Sequence, residues 1–121
     1  MVDMRKLKGI DVHNDNGAMS MTIGTGHVWG EVLKYLRKID SELMTVHGQC
    51  TSAGVAGFAL HGGVHFGGLS ELYGLASDNI LGLTEVYICI CIYIYIYIIN
   101  VYIYMYIDIY IYKYAHIYMY I

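Results

Sequence analysis

The sequence predicts an α+β domain that ends near residue 86 and continues into a low-complexity tail. Short alternating runs separated by glycine-rich turns indicate strands in the first part, and one run with helical spacing lies between them. From residue 87 onward tyrosine and isoleucine alternate almost without interruption. We therefore divide the 121 residues into a domain at 1–86 and a tail at 87–121, and this length allows one domain of modest core.

The first elements of the domain follow from local patterns. Ile10 to Val12 predicts a strand, "NDNG" predicts a turn, and "AMSMTIGTG" predicts a second strand with a glycine-rich exit. The segment "HVWGEVLKYLRKID" predicts an amphipathic helix that opens just after Gly26. The apolar face of this helix comprises Val28, Val32, Leu33, Leu36 and Ile39.

The later elements of the domain are shorter. "LMTVHG" predicts a short strand, and the stretch after it, "GQCTSAGVAGFALHGGVHFGG", has too many glycines for an ordinary helix and too few polar residues for an ordinary linker. "LSELYGLASDNILGLTEV" predicts a short helical turn and then a strand from Ile80 onward. These elements alone fall short of a complete sheet.

Net charge and cysteine content limit the classes of function that the chain can have. The net charge is −3 and the seven basic residues are scattered, so no basic face is available to bind nucleic acid. A small molecule or another protein chain is the expected partner. Cys50, Cys89 and Cys91 form no even disulfide framework, and the N-terminal residues contain no apolar signal-peptide core. The cellular compartment stays open.

The tail at 87–121 allows three interpretations. Isoleucine and tyrosine both favour strands, although the tyrosine phase changes at Ile98 and Ile99. The run also exceeds the roughly 18 apolar residues of a membrane-spanning helix, but tyrosine prefers the membrane interface, and Asp108 and Lys113 interrupt the second half. A span is therefore not favoured. The third interpretation is that TAT and ATA codons alternate when a TATATA repeat is translated, which predicts a tail derived from repeat DNA.

Three short motifs have ordinary structural explanations. "GTGHVWG" could cradle a phosphate, but its spacing differs from the dinucleotide fingerprint, and we interpret it as a structural turn. His61 and His65, with His47, could be offered as a metal site, but flanking glycines argue against a helix that would align them. Cys50 as a protease nucleophile would need His47 or His61 as its base, and no hydrolase signature surrounds it.

Two segments carry a more specific signal. "GQCTSAGVAGFALHGG" followed by "YGLASDNILG" resembles the PCMH-type FAD-binding domain of FAD-linked oxidases, the group related to p-cresol methylhydroxylase and vanillyl-alcohol oxidase, and most of all its berberine-bridge-enzyme-like branch. The "GHVWGEVLKYL" helix and the "VDMRKLKGIDV" start are similar to that domain in the same order. The resemblance covers Val2 to Val86.

The resemblance implies FAD as the cofactor. Backbone without bulky side chains lets main-chain N–H groups approach a dinucleotide pyrophosphate closely, which would explain the glycines. By resemblance, Cys50 occupies a position that in some members forms a thioether to the flavin, and "ASDNI" would lie near the adenine end. The residues implied to bind the cofactor are Cys50, Thr51, Ser52, Gly54, Val55, Gly57, His61, Asp78 and Asn79.

In complete relatives the implied reaction moves a hydride from an alcohol, amine or sugar carbon to flavin N5, and oxygen or another acceptor reoxidises the flavin. The family's Arg-Gly-Gly-His segment is absent here, and Phe58 stands where several members have histidine. Neither a general base nor a substrate-binding half can be identified. We therefore expect a partial FAD-binding domain that is inactive alone. The alternative is a membrane-anchored or self-associating structural protein driven by the tail.

Overall fold

The fold is a five-stranded sheet combined with three helices, and the computed structural model describes residues 3–90 and 99–113 of it. All strand pairs are antiparallel. The elements in chain order are β1 (Ile10–Asp15), β2 (Ala18–Gly24), α1 (Trp29–Ile39), β3 (Leu43–Met44), α2 (Val55–Leu60), α3 (Leu69–Tyr73), a 3-10 turn (Ser77–Asn79), β4 (Ile80–Ile90) and β5 (Ile99–Lys113).

β1 and β2 form a hairpin around the predicted "NDNG" turn. Asn16 and Gly17 have φ angles of 51° and 94°, which suit the two-residue turns that join antiparallel strands. The Asn14 side chain accepts a hydrogen bond from the Gly17 N–H at 3.1 Å. The turn confirms the sequence prediction, but β1 continues past Val12 to Asp15 because its pairing with β2 extends up to the turn.

β5 is the central strand of the sheet. Residues 106–111 pair with β2 on one edge, and residues 99–109 pair with β4 on the other. Ile107 lies opposite Ile23 and Ile109 opposite Met21, and all four side chains are fully buried. Cross-strand aliphatic pairs of this kind are the unit that stabilises a sheet. The sheet that the first 86 residues leave incomplete is therefore closed by residues from the tail.

α1 packs against this sheet through the face that its spacing predicts. Val32 and Leu36 are fully buried and Leu33 nearly so. Two predicted members of the face differ. Val28 has extended backbone and precedes the helix, because its backbone lies opposite Gly54 in an antiparallel bridge. Ile39 ends the helix and is 51% exposed.

α2 was not predicted by the sequence. Six residues of the glycine-rich stretch, Val55–Leu60, form a helix, so the expectation that this stretch is not helical is wrong for its middle part. The reason is burial, because Val55 and Ala59 are fully buried in the core cluster that also contains Leu69 of α3. A helix of six residues is too short to be stable alone, so packing holds this one in place.

The tail predictions are tested only in part. The described tail residues lie in β4 and β5, whereas residues 91–98 and 114–121, including the phase change at Ile98, lie outside the described residues. In the described part of the chain no helix is long and apolar enough to cross a membrane. The division at residue 86 and the origin in repeat DNA stay predictions.

Candidate functional site

The glycine-rich loop between β3 and α2 is fastened to the segment that opens α1. Main-chain contacts join residues 27–30 to residues 51–55 in ladder order. These are Gly30 N–H to Thr51 O at 2.8 Å, Trp29 N–H to Ala53 O at 3.0 Å, the Val28–Gly54 bridge, and Val55 N–H to His27 O at 3.0 Å. The loop therefore takes its position from the N-terminal end of α1.

Glycines in this region meet different surroundings. A Cβ atom at Gly30 would lie 3.0 Å from Thr51, so the ladder itself leaves no room for a side chain there. At Gly54 and at Gly57 a Cβ atom would meet nothing within 4 Å. Gly54 also has an ordinary φ of −68°. Nothing in the described chain explains the glycines at 54 and 57, which border open space.

Cys50 sits at the start of this loop with an exposed thiol. Its Sγ lies 3.0 Å from Ser52 Oγ, and the Ala53 N–H donates to the Cys50 carbonyl at 3.0 Å. The Ser52 hydroxyl, followed by the backbone N–H groups of Ser52 and Ala53, lowers the pKa of the Cys50 thiol below its usual range. The first turn of the loop is thus shaped to stabilise negative charge.

Two further donors of the loop are available. Among the residues that the structure describes, the N–H groups of Thr51 and Gly54 have no acceptor, whereas the Val55 N–H is bonded to the His27 carbonyl. Buried or loop N–H groups normally find a partner in protein, water or ligand. The loop therefore presents unused main-chain donors at Thr51 and Gly54.

An aromatic cluster supports the loop from the core side. Trp29 is fully buried, and Phe58 of α2 contacts it edge-on with ring centroids 5.6 Å apart. The Trp29 Nε1 atom is buried and has no hydrogen-bond partner among the described residues. A Cβ atom at Gly48 would lie only 3.2 Å from the indole, so a side chain there would require the ring to shift. Phe58, where histidine occurs in several members of the resembled family, serves here as a packing residue.

His47 and His65 form the other side of this cluster. Their rings lie 4.5 Å apart between centroids, and His65 Nδ1 contacts the His47 carbonyl at 2.8 Å. Burial is the main cause that lowers the pKa of His47 below its usual range, so its ring stays neutral at neutral pH. No group of three or more metal-binding side chains occurs in the described ranges.

The remaining predicted site residues shape the turn after α2. His61 ends α2 with its Nδ1 2.9 Å from the Gly57 carbonyl. Asp78 accepts the Leu75 N–H at 2.8 Å. Asn79 is almost fully buried, and its side-chain amide donates to the carbonyls of Tyr73 and Leu75 at 2.9 and 2.7 Å.

This turn lies beside α2. The N–H groups of Ala76 and Ser77 donate to the carbonyls of Gly63 and Gly62, both at 2.9 Å. These bonds bring "ASDNI" next to the end of α2, so the structure places Asp78 and Asn79 in the same region as His61. The Cys50 thiol contacts Ser52 and has no histidine partner in the part of the chain that the structure describes.

One polar network was missed by sequence reasoning. Glu31 Oε2 accepts hydrogen bonds from Lys8 Nζ at 2.7 Å and His27 Nδ1 at 2.8 Å. Lys8, then His27, lowers the pKa of Glu31 to about 2. The other ring nitrogen of His27 accepts the Gly9 N–H at 3.1 Å. A glutamate at the third helical position, four residues after a histidine, was the available signal.

Comparison with known proteins identifies the family to which this chain is similar. A family model described as FAD binding domain matches residues 1–87. The curated (R)-6-hydroxynicotine oxidase of Paenarthrobacter nicotinovorans is 41% identical over 86 residues, which are 71% of this chain and 18% of that protein. The FAD-dependent monooxygenase FUP4 of Fusarium proliferatum (strain ET1) is 43% identical over 70 residues, which are 58% of this chain and 13% of that protein.

A comparison with solved structures points to the same family. The crystal structure of 6-hydroxy-D-nicotine oxidase from Arthrobacter nicotinovorans superposes with a TM-score of 0.67 and 27% identity. The likeness covers 92% of this chain and 26% of that chain. It therefore reaches beyond residues 1–87, which the family model matches. The chain spans less than a fifth of the length of its two curated relatives.

Proposed function

The chain belongs to the FAD binding domain family of FAD-linked oxidases, and from that membership we propose that its residues 50–57 hold the pyrophosphate of FAD. FAD is the cofactor of the family. The finer assignment to this loop is the proposal. It makes the chain the cofactor-binding part of a flavin-dependent oxidoreductase.

The open space at Gly54 and Gly57 carries this proposal. A side chain at either position would enter space that no atom of the described chain fills. A dinucleotide pyrophosphate needs such space, because its oxygens must approach the main chain closely. The residues present therefore fit the cofactor, and the cradle is one that a Cβ atom would block.

The donors around this space suit an anion. The free N–H groups of Thr51 and Gly54 and the hydroxyl of Thr51 would face the phosphate oxygens. Hydrogen bonds from neutral donors to a charged acceptor are stronger than those to a neutral one. Val55 would contribute by its position, since its N–H is bonded to His27. Cys50 and Ser52 would lie at the flavin side of the loop.

His61, Asp78 and Asn79 would act at the other side of the site. Asp78 and Asn79 use their side chains to close the turn that the resemblance assigns to the adenine end. Their proposed contribution is the shape of that turn, and His61 would hold the end of α2 beside it.

FAD, when bound, supplies hydride acceptance from an alcohol, amine or sugar-type carbon. The residues of this chain would bind and orient the cofactor, and none of them is nominated to move a substrate proton. We therefore propose that the 121 residues alone bind FAD without turning a substrate over. An assay for flavin reduction by such substrates, with the full chain loaded with FAD, tests this part.

The binding proposal is tested by titration of the full chain with FAD, followed by flavin fluorescence. Because the pyrophosphate is the group held, we expect ADP-ribose to compete with FAD and riboflavin to fail. Competition by riboflavin at similar concentration, without competition by ADP-ribose, would place the contact at the flavin ring and contradict the assignment to this loop.

A covalent bond to Cys50 is tested separately. The loaded chain is denatured in acid and separated from free flavin, and Cys50→Ala serves as the matched variant. Flavin retained by the parent chain and lost from Cys50→Ala indicates a thioether. If the parent chain and Cys50→Ala bind FAD with equal affinity and both release it in acid, Cys50 contacts the cofactor without a covalent bond.

A further inference from the structure

We propose that His27 is a positioning residue for the cofactor loop at residues 50–55, and that it sets the loop's geometry by linking it to the backbone at Gly9. The inference rests on the proposed function as far as FAD affinity is concerned. The positioning itself concerns only residues of this chain.

His27 is held at every polar atom. Its ring Nε2 accepts the Gly9 N–H at 3.1 Å, and its Nδ1 lies 2.8 Å from Glu31 Oε2. Since Nε2 is the acceptor, the ring proton must lie on Nδ1 and point to Glu31. The main-chain N–H of His27 donates to the Gly24 carbonyl at 3.1 Å. The side chain is only 12% exposed.

The carbonyl of His27 then reaches the loop directly. It accepts the Val55 N–H at 3.0 Å, and this is the first rung of the ladder between residues 27–30 and 51–55. A rotation of the His27 peptide would therefore move the acceptor of Val55 and shift the next rung, the bridge from Val28 to Gly54. His27 would not contact FAD itself and acts on the cradle through this ladder.

The charged groups near the ring fix its orientation. Glu31 is ionised well below neutral pH because Lys8 and His27 both bond to it. Its carboxylate orients the His27 ring so that Nε2 faces Gly9. A second group thus sets the tautomer of the positioning residue, as carboxylates commonly do for histidine.

Two substitutions separate the two ring contacts. In His27→Asn the amide nitrogen can still donate to Glu31, but the shorter side chain cannot reach Gly9. In His27→Gln the longer side chain can place its oxygen where Nε2 accepted the Gly9 N–H. His13→Asn is the control, because His13 lies on β1 with its Nε2 3.0 Å from Thr22 Oγ1 and takes no part in the ladder.

The first readout needs no cofactor. In a full chain carrying Cys89→Ser and Cys91→Ser, the rate of alkylation of Cys50 is followed against pH. The thiol pKa is lowered by Ser52 and by loop N–H groups, so it reports on loop geometry. We expect His27→Asn to move the midpoint of the profile to higher pH, and His27→Gln and His13→Asn to leave it in place.

The second readout is the FAD dissociation constant. We expect about a tenfold increase for His27→Asn, the size of one lost hydrogen bond, and less than about threefold for His27→Gln. A general loss of structure would move both variants and the melting temperature together. If His27→Asn does not fold, His27→Leu replaces it, because leucine keeps the apolar bulk of the side chain but cannot accept from Gly9.

The two proposals fail in different ways. An unchanged alkylation profile in the folded variant overturns the positioning role. A shifted profile in His27→Asn, together with a parent chain that binds no FAD, supports the positioning role and overturns the proposed function. FAD bound equally tightly by His27→Asn and the parent leaves the proposed function intact and overturns the link to affinity.

Discussion

The chain contains two glycine pairs that look alike in sequence, Gly24 with Gly26 and Gly54 with Gly57. At the first pair a Cβ atom would collide with the main-chain carbonyls of Leu7 and Met4. The same glycines donate hydrogen bonds to the carbonyls of Gly9 and Leu7. The predicted turn is confirmed by the hydrogen bond from the His27 N–H to the Gly24 carbonyl at 3.1 Å. At the second pair a Cβ atom would meet nothing within 4 Å.

The two pairs therefore differ in whether the fold itself requires glycine. The chain itself needs glycine at 24 and 26, because the main chain of residues 4–8 passes close to both positions. It does not need glycine at 54 or 57, and the proposed FAD cradle would account for both. Glycine content alone cannot distinguish the two cases, whereas the surroundings of the missing side chain can.

The largest effect is expected from Gly26→Ala. The added methyl group cannot fit beside the Met4 carbonyl without displacement of the N-terminal segment. We expect a loss of about 3–5 kcal/mol of unfolding free energy, the range of severe backbone and packing lesions. Urea unfolding followed by circular dichroism measures it, and a loss below about 1 kcal/mol would contradict the packing account.

A large-to-small substitution in the core provides a reference for this loss of unfolding free energy. Ile109→Ala removes a fully buried side chain of β5 that lies opposite Met21. We expect a loss of about 2–4 kcal/mol, as for other large-to-small core changes. The same urea titration measures it. A neutral result would mean that β5 does not hold the sheet together in solution.

Gly57→Ala is expected to separate binding from folding. Alanine is preferred to glycine in a helix, so we expect the unfolding free energy to stay equal or rise by up to about 1 kcal/mol. FAD affinity should fall at least about tenfold, since the methyl group enters the cradle. Titration and urea unfolding are run side by side, and Lys34→Ala on α1 is the control. Unchanged affinity would mean that Gly57 does not lie against bound FAD.

The smallest effect is expected from Glu31, which bonds to Lys8 and to His27. The folded-state pKa of Glu31 is about 2, below its ordinary 4.5, so its contribution to stability is complete above pH 4.5 and is lost as pH falls towards 2. The carboxylate is partly exposed, so the contribution is about 0–1 kcal/mol. Glu31→Gln should flatten the pH dependence of the melting temperature in this window. An unchanged slope would indicate that the network with Lys8 is absent in solution.

Sequence reasoning reached the outline of the fold through local rules. The turn at Asn16 and Gly17, the buried face around Val32 and the strand from Ile80 follow from turn chemistry and periodicity. The helix in the glycine-rich stretch did not, because its stability comes from packing partners distant in the chain. The role of β5 could not be predicted from the sequence either, since the pairing between Ile23 and Ile107 is non-local.

The site was predictable to a similar degree. The segments around Cys50 and Asn79 pointed to an FAD-binding domain, and the family comparison confirms that resemblance. The open space at Gly54 and the ladder to His27 depend on three-dimensional contacts that spacing does not encode. Which individual residues contact FAD stays a prediction.

The order of the strands has a consequence for how the chain assembles. β5 lies between β2 and β4, yet it follows both in the sequence. During synthesis β2 and β4 emerge first, and each exposes an edge of unpaired N–H and C=O groups until β5 has been made. The sheet cannot close cooperatively before then, because its longest-range pairs form last. A delay in translation after β4 should therefore leave a species with two open edges, and its lifetime would decide between folding and aggregation.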